Sequence, residues 1–387
     1  MLKIISKNKY KSKNKKERNA GVDLCRILGM IDIIINHIVA REFLKRKYPN
    51  YLKYFKLIEI LTQWHISNFG IISGIVGFKT NKYSNLLYLY LCVLFYSLTI
   101  HYIIIKFFKN NYAIIINKRH LRNYYFPVIA NDYWYFSTYC KMHLFLPLIN
   151  KGLSLIYKDE LRIIILNMMG LLFIWKDLMS QNPEKFCSRT STTTLLVDFI
   201  LGAYIGKYHL NYERNKNIFY YLFLIIIVCS TSYITYYLRL YNGINTFKLI
   251  LKKLFCNKTN SIEMILESTS IILIFIKIKY NRLICKIISF FGSLSFSAYL
   301  IHNHMDIRPI LYVYLFENSS SSLSYGILII LVIVKGTLIF IICIFIDYFR
   351  FLLFSIFRIR QICLYFEKKF FSLFSQINEN KNNYTHL

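Results

Sequence analysis

A series of apolar runs, each long enough to cross a bilayer, limits what this chain can fold into more than any other property. A hydrocarbon core about 30 Å thick is crossed by roughly 20 largely apolar residues in a helix. Ten such runs lie near residues 22–41, 55–78, 84–107, 134–150, 161–176, 193–209, 217–240, 262–279, 284–303 and 324–349. Backbone N–H and C=O groups find no water in that core, so each run has to satisfy them internally as a helix. The pattern predicts an all-α fold, a polytopic integral membrane protein with about ten transmembrane helices. The last run, GILIILVIVKGTLIFIICIFI, is the strongest and holds a lone Lys335.

Charge fits this reading. Hydrophobic residues make up 56% of the 387, yet 49 Lys and Arg against 19 Asp and Glu leave a formal charge of +30. A soluble domain this apolar would expose large patches that soluble monomers avoid, and the aliphatic and aromatic load excludes disorder. The cations fall between the apolar runs and in the tails, which argues against nucleic acid as a partner and for the lipid bilayer. Nine cysteines are scattered, without a Cys-x-x-Cys pair or a His at zinc-finger spacing, so no metal is expected.

The expected organisation is a basic cytoplasmic tail over 1–19, one membrane domain over 20–355 and a basic, polar tail over 356–387. The N-terminal lysines carry no cleavable-signal pattern, so the first helix is expected to remain as an anchor. Basic residues at both ends predict cytoplasmic N- and C-termini under the positive-inside tendency, which an even number of spans satisfies. The connections 106–132 and 242–263 would then face outside, although both are rich in Lys and Arg. The Asn-rich end over 378–383 reads as a frayed terminus.

Ionisable residues inside a membrane are costly and mark functional sites. The first run, VDLCRILGMIDIIINHIVA, holds Asp23, Arg26, Asp32 and His37. Eleven residues at 100° each amount to roughly 1100°, so Arg26 and His37 project from one helix face about 16 Å apart along the axis. Asp23 stands one turn before Arg26, where an i, i+3 ion pair forms. Asp32 points away from this stripe and suits a contact with another helix. A neutral imidazole can act as a general base near neutral pH, and a guanidinium suits phosphate. The same two residues would also fit a buried pair satisfied by neighbouring helices.

A second polar cluster closes the ninth run, FGSLSFSAYLIHNHMDIR, where Tyr299 and His302 are i, i+3 neighbours and His304 and Asp306 follow. In WHISNFGIISG, Asn68, Ser73 and Gly74 allow close packing or a polar lining. Lys79 and Lys82 come next, placed either to anchor the chain at the interface or to hold a nucleotide phosphate.

These pieces together resemble acyltransferase family 3, the integral membrane O-acyltransferases. RNAGVDLCRILGMIDIIINH resembles the family's first-helix signature, with Arg26 and His37 in its Arg-x10-His pattern. SNFGIISGIVGF, YWYFSTYCKMHLFLPLIN, LLVDFILGAYIGKY, LSFSAYLIHNH and IDYFRFLLF follow in the family's order and cover most of 18–354. The resemblance implies an acyl-CoA donor, usually acetyl-CoA, and a hydroxyl acceptor on a cell-surface or lipid-linked saccharide. It implies that His37 and Arg26 are essential and that His302 is the histidine of the Tyr-Leu-Ile-His element. Many members carry Arg-x-x-Arg where Lys79 and Lys82 stand, and Lys does not reproduce the bidentate contacts of Arg. No Ser or Cys lies in a nucleophile elbow. A multipass transporter, a membrane sensor, or an acyltransferase acting on a lipid or peptide would share the helices and the buried charges.

Overall fold

The computed structural model describes residues 19–40, 42–78, 82–108, 121–171, 191–209, 218–240, 262–317 and 323–384, and these residues are helical with no strand among them. Helix α1 spans Ala20–Ala40, followed by the short α2 at Glu42–Lys47, a 3-10 turn at Pro49–Tyr51, α3 at Leu52–Leu61 and α4 at His65–Gly77. Next come α5 at Tyr83–Phe108, α6 at Leu121–Tyr125, α7 at Trp134–Leu155 and α8 at Lys158–Met169. The remaining helices are α9 at Thr192–Tyr208, α10 at Ile218–Leu240, α11 at Ile262–Lys277 and α12 at Arg282–His302. They are followed by α13 at Arg308–Glu317, α14 at Tyr325–Ile356 and α15 at Ile359–Tyr384.

Among the described residues the apolar runs fall on helices. Among the described residues, three helices are long and apolar enough by themselves to cross a membrane: Tyr83–Phe107 within α5, α12 and α14. The run 55–78 is not continuous. It breaks at Thr62–Trp64, where the Thr62 hydroxyl turns back to the Ile58 carbonyl at 2.8 Å and receives the Asn36 amide at 3.1 Å. Such back-bonding offers the backbone an alternative to continued helix. Two further stretches are helical, α13 within 306–323 and α15 beyond 356, and the backbone of 378–383 belongs to α15. Residues 1–18, 109–120 within 106–132, 242–261 within 242–263, and Lys79 lie outside the described residues.

The centre of the fold is α1, packed against α12, α14, α11 and α4. Ile34, Ile38, Val93, Ala298, Leu300 and Val332 are buried together where α1, α5, α12 and α14 meet. Close approach between α4 and α9 depends on small residues: a methyl on Gly202 would overlap the Ile71 carbonyl, and one on Gly74 the Phe199 carbonyl. This is the small-residue helix contact expected where lipid supplies no hydrophobic drive between helices. A buried ion pair lies on α14. Arg350 forms two bonds to Asp347, at 2.7 and 2.8 Å, and Tyr96 on α5 donates to the same carboxylate at 2.6 Å. Lys335 on α14 donates to the Leu315 carbonyl and Lys47 to the Phe316 carbonyl, so both cations cap the C-terminal end of α13.

Candidate active site

Two helix starts fix the register of the site. Asn19 caps α1, its Oδ1 accepting from the N–H groups of Gly21 and Val22 at 2.9 and 3.3 Å. Asn281 caps α12 by accepting from Ile284 at 2.8 Å. The two helices pack side by side, close enough at Gly292 that a methyl there would press on Asp23. Side chains at matching heights on α1 and α12 can therefore touch.

Near the far end of both helices, His37 Nδ1 lies 3.1 Å from His302 Nε2. The other nitrogen of His302, Nδ1, faces the Ala298 carbonyl of its own helix. A carbonyl can only accept, so neutral His302 carries its proton on Nδ1 and offers a lone pair at Nε2. His37 then donates from Nδ1, which leaves its own lone pair on Nε2. This chain of carbonyl, imidazole and imidazole fixes the His37 tautomer that a general base needs. His302 is fully buried and His37 partly so. Tyr299 is beside them, its ring centroid 6.4 Å from that of His302 and 5.8 Å from that of Tyr133. Tyr133 donates to the Leu300 carbonyl at 3.2 Å and pins the end of α12.

Farther back along α1, Arg26 Nη1 meets Asp23 Oδ1 at 2.5 Å, the i, i+3 pair expected from spacing. The Ser289 hydroxyl of α12 donates to the other Asp23 oxygen at 3.1 Å. Asn68 on α4 donates to the Cys25 carbonyl at 2.9 Å, which ties the Arg26 turn of α1 to α4. Tyr139 on α7 lies within electrostatic reach of Arg26 and hydrogen-bonds with Ser73. The Asp23 side chain is fully buried, whereas that of Arg26 keeps 21% exposure and can reach a ligand.

The other expected residues fall differently. Lys82 is exposed just before α5, and among the described residues nothing joins it to Arg26. Asp32 leaves the His37 stripe, as its angle requires, and hydrogen-bonds with Trp64 at the break between α3 and α4. Glu267 on α11 accepts from Gln63 of the same break at 3.1 Å and from Cys229 at 3.7 Å. The interrupted helix thus supplies neutral donors to two acidic side chains, Glu267 buried and Asp32 half-buried. Sequence reasoning did not single out His101, Tyr124, Tyr139 or Ser289. A histidine inside the apolar run 84–107 was a signal for the first of these; the two tyrosines and the serine carried none.

A family model described as an acyltransferase domain matches residues 19–348, which takes in Arg26, His37, Tyr299 and His302. No curated protein and no solved structure matches the chain. The match spans most of the chain and follows the helical core from the Asn19 cap to α14. With apolar helices of membrane-crossing length and an acyltransferase domain, the protein is a membrane acyltransferase, and the chain belongs to acyltransferase family 3.

Proposed function

We propose that the protein transfers an acyl group, acetyl in the first instance, from acyl-CoA to a hydroxyl of a cell-surface or lipid-linked saccharide. The observation that carries this reading is the His37–His302 hydrogen bond, which leaves a lone pair on His37 Nε2 on the same helix face as Arg26. His37 Nε2 takes the acceptor's hydroxyl proton as that oxygen attacks the thioester carbonyl carbon. The new C–O bond forms, the C–S bond breaks, and the proton passes from His37 to the departing thiolate, giving coenzyme A and an ester. His302 supports the transient imidazolium by accepting from Nδ1–H, a bond to a charged donor and so stronger than a neutral one. Tyr299 borders the acceptor side of this pair.

Arg26 receives the coenzyme A phosphates, helped by Lys82 and Lys79 at the membrane edge. The pantetheine arm separates phosphates from thioester, in keeping with about 16 Å between Arg26 and His37 along α1. In this reading the membrane domain covers 20–355 with ten spans, both termini are cytoplasmic, and Arg26 lies toward the donor side.

The test is transfer of label from acetyl-CoA in sealed inside-out vesicles that contain the protein and native glycan. Label is expected in the glycan fraction and absent from vesicles without the protein. Label found only in lipid or protein would reject the saccharide acceptor. Solute uptake without any label transfer would favour a transporter.

A further inference from the structure

Four residues beyond His302, Asp306 closes a buried cluster that the transfer step leaves unused. Its Oδ1 accepts from the Tyr124 phenol at 2.6 Å, and its Oδ2 faces His101 Nδ1 at 2.9 Å. The His101 and Tyr124 rings stack with centroids 3.5 Å apart. His304 packs beside them and is satisfied at both nitrogens: Nε2 faces the Ser97 carbonyl at 3.3 Å, and Nδ1 accepts from the Asp306 N–H at 3.2 Å.

His101 differs. The carboxylate engages Nδ1, while Nε2 is buried and meets no hydrogen-bonding partner among the described residues. The residue as a whole is only 8% exposed. A buried polar atom without a partner carries the full penalty of its lost hydration, so native structures satisfy nearly all of them, by water or ligand where the protein does not. Neutral imidazole would present a lone pair at Nε2, and imidazolium would present a proton. A hydroxyl both donates and accepts, so it satisfies either state.

Position gives this atom its meaning. His101 lies in the last third of α5, and α5 packs against α12. His302 ends α12, and four residues of chain reach at most about 14 Å, which bounds the distance from His302 to Asp306. The loop is compact as well, with Ile307 and Arg308 both donating to the His304 carbonyl, at 3.1 and 2.8 Å.

We propose that His101 Nε2 is a hydroxyl-binding subsite for the acceptor, with Asp306 and Tyr124 as the positioning residues that hold its ring. This rests on the reading of a hydroxyl-bearing acceptor and adds a second contact to it. A polyhydroxylated acceptor would place one hydroxyl at His37 for reaction and another at His101 for binding.

Two measurements test this apart from the chemistry. His101→Phe keeps a ring for stacking on Tyr124 and removes the nitrogen. With wild-type membranes as reference, it is expected to raise the apparent KM for native glycan about 5–100-fold while leaving the KM for acetyl-CoA unchanged. An unchanged glycan KM, or an equal change in both constants, overturns the proposal. The second is 15N-histidine NMR of the full chain carrying His37→Ala in lipid nanodiscs, with glucose, galactose and N-acetylglucosamine as probes. A saturable shift of the His101 Nε2 resonance, weakened in Asp306→Asn, supports the subsite even where transfer is abolished. A resonance that none of the three sugars moves means that water alone satisfies the nitrogen, and the subsite is rejected. Retained transfer in His37→Ala would instead defeat the base assignment, so the two failures are distinct.

Discussion

Arg26 and His37 share one face of α1, but their immediate surroundings differ in kind. Arg26 is held in an ion pair with a fully buried carboxylate, which also takes a hydroxyl from α12. His37 is hydrogen-bonded to an imidazole that itself faces a backbone carbonyl. The first arrangement keeps a permanent charge in one place and suits recognition of an anion. The second can accept and release a proton, with the imidazolium hydrogen-bonded to His302. Under the proposed function one helix face carries a binding end and a reacting end, and replacing residues at each should affect different kinetic constants.

The largest effect is expected at the reacting end. His37→Ala should lower kcat by about 10²–10⁴-fold, the usual contribution of a positioned base, with the KM for acetyl-CoA little changed. His302→Phe should follow, lowering kcat roughly 10–100-fold through loss of a hydrogen bond to a transiently charged group. Its activity should hold to lower pH than that of the wild type, because without His302 the His37 imidazolium loses its support and the ring is harder to protonate. A flat loss at every pH would assign His302 to packing instead.

At the binding end, Arg26→Lys is the informative change. Arg26→Ala would strand the buried Asp23 carboxylate, and breaking a buried pair costs about 3–5 kcal/mol of stability. Lys keeps the charge for Asp23 but loses the two-pronged contact to phosphate. It should raise the KM for acetyl-CoA about 10-fold with a smaller effect on kcat. Lys82→Ala should be the mildest, a change below about 5-fold in the same KM, as befits an exposed cation whose electrostatic contribution solvent screens. A larger effect on kcat than on donor KM for either cation would break the division between the two ends.

What the sequence revealed follows from how far apart the interacting residues lie. The helical character of the apolar runs and the Asp23–Arg26 pair are local, and among the described residues both are present in the structure. The break at Thr62–Trp64 was not visible, because no Pro or Gly marks it and its hydrogen bonds reach Asn36 and Glu267 on other helices. Nor could α13 be read from a stretch that looks like a connection, since two lysines from α2 and α14 cap it. His37 and His302 were each singled out, but their contact joins residues 265 apart and needed the packing of α1 on α12. The same holds for His101, whose carboxylate partner is 205 positions away.

The central claim is that His37 is the base for acyl transfer to a glycan hydroxyl. Mass spectrometry of surface glycans from cells carrying wild-type, His37→Ala or Lys82→Ala protein at matched membrane levels tests it most directly. The account predicts the mass shift of an acetyl group in the wild type and in Lys82→Ala, and its loss in His37→Ala. Full acetylation with His37→Ala would contradict it.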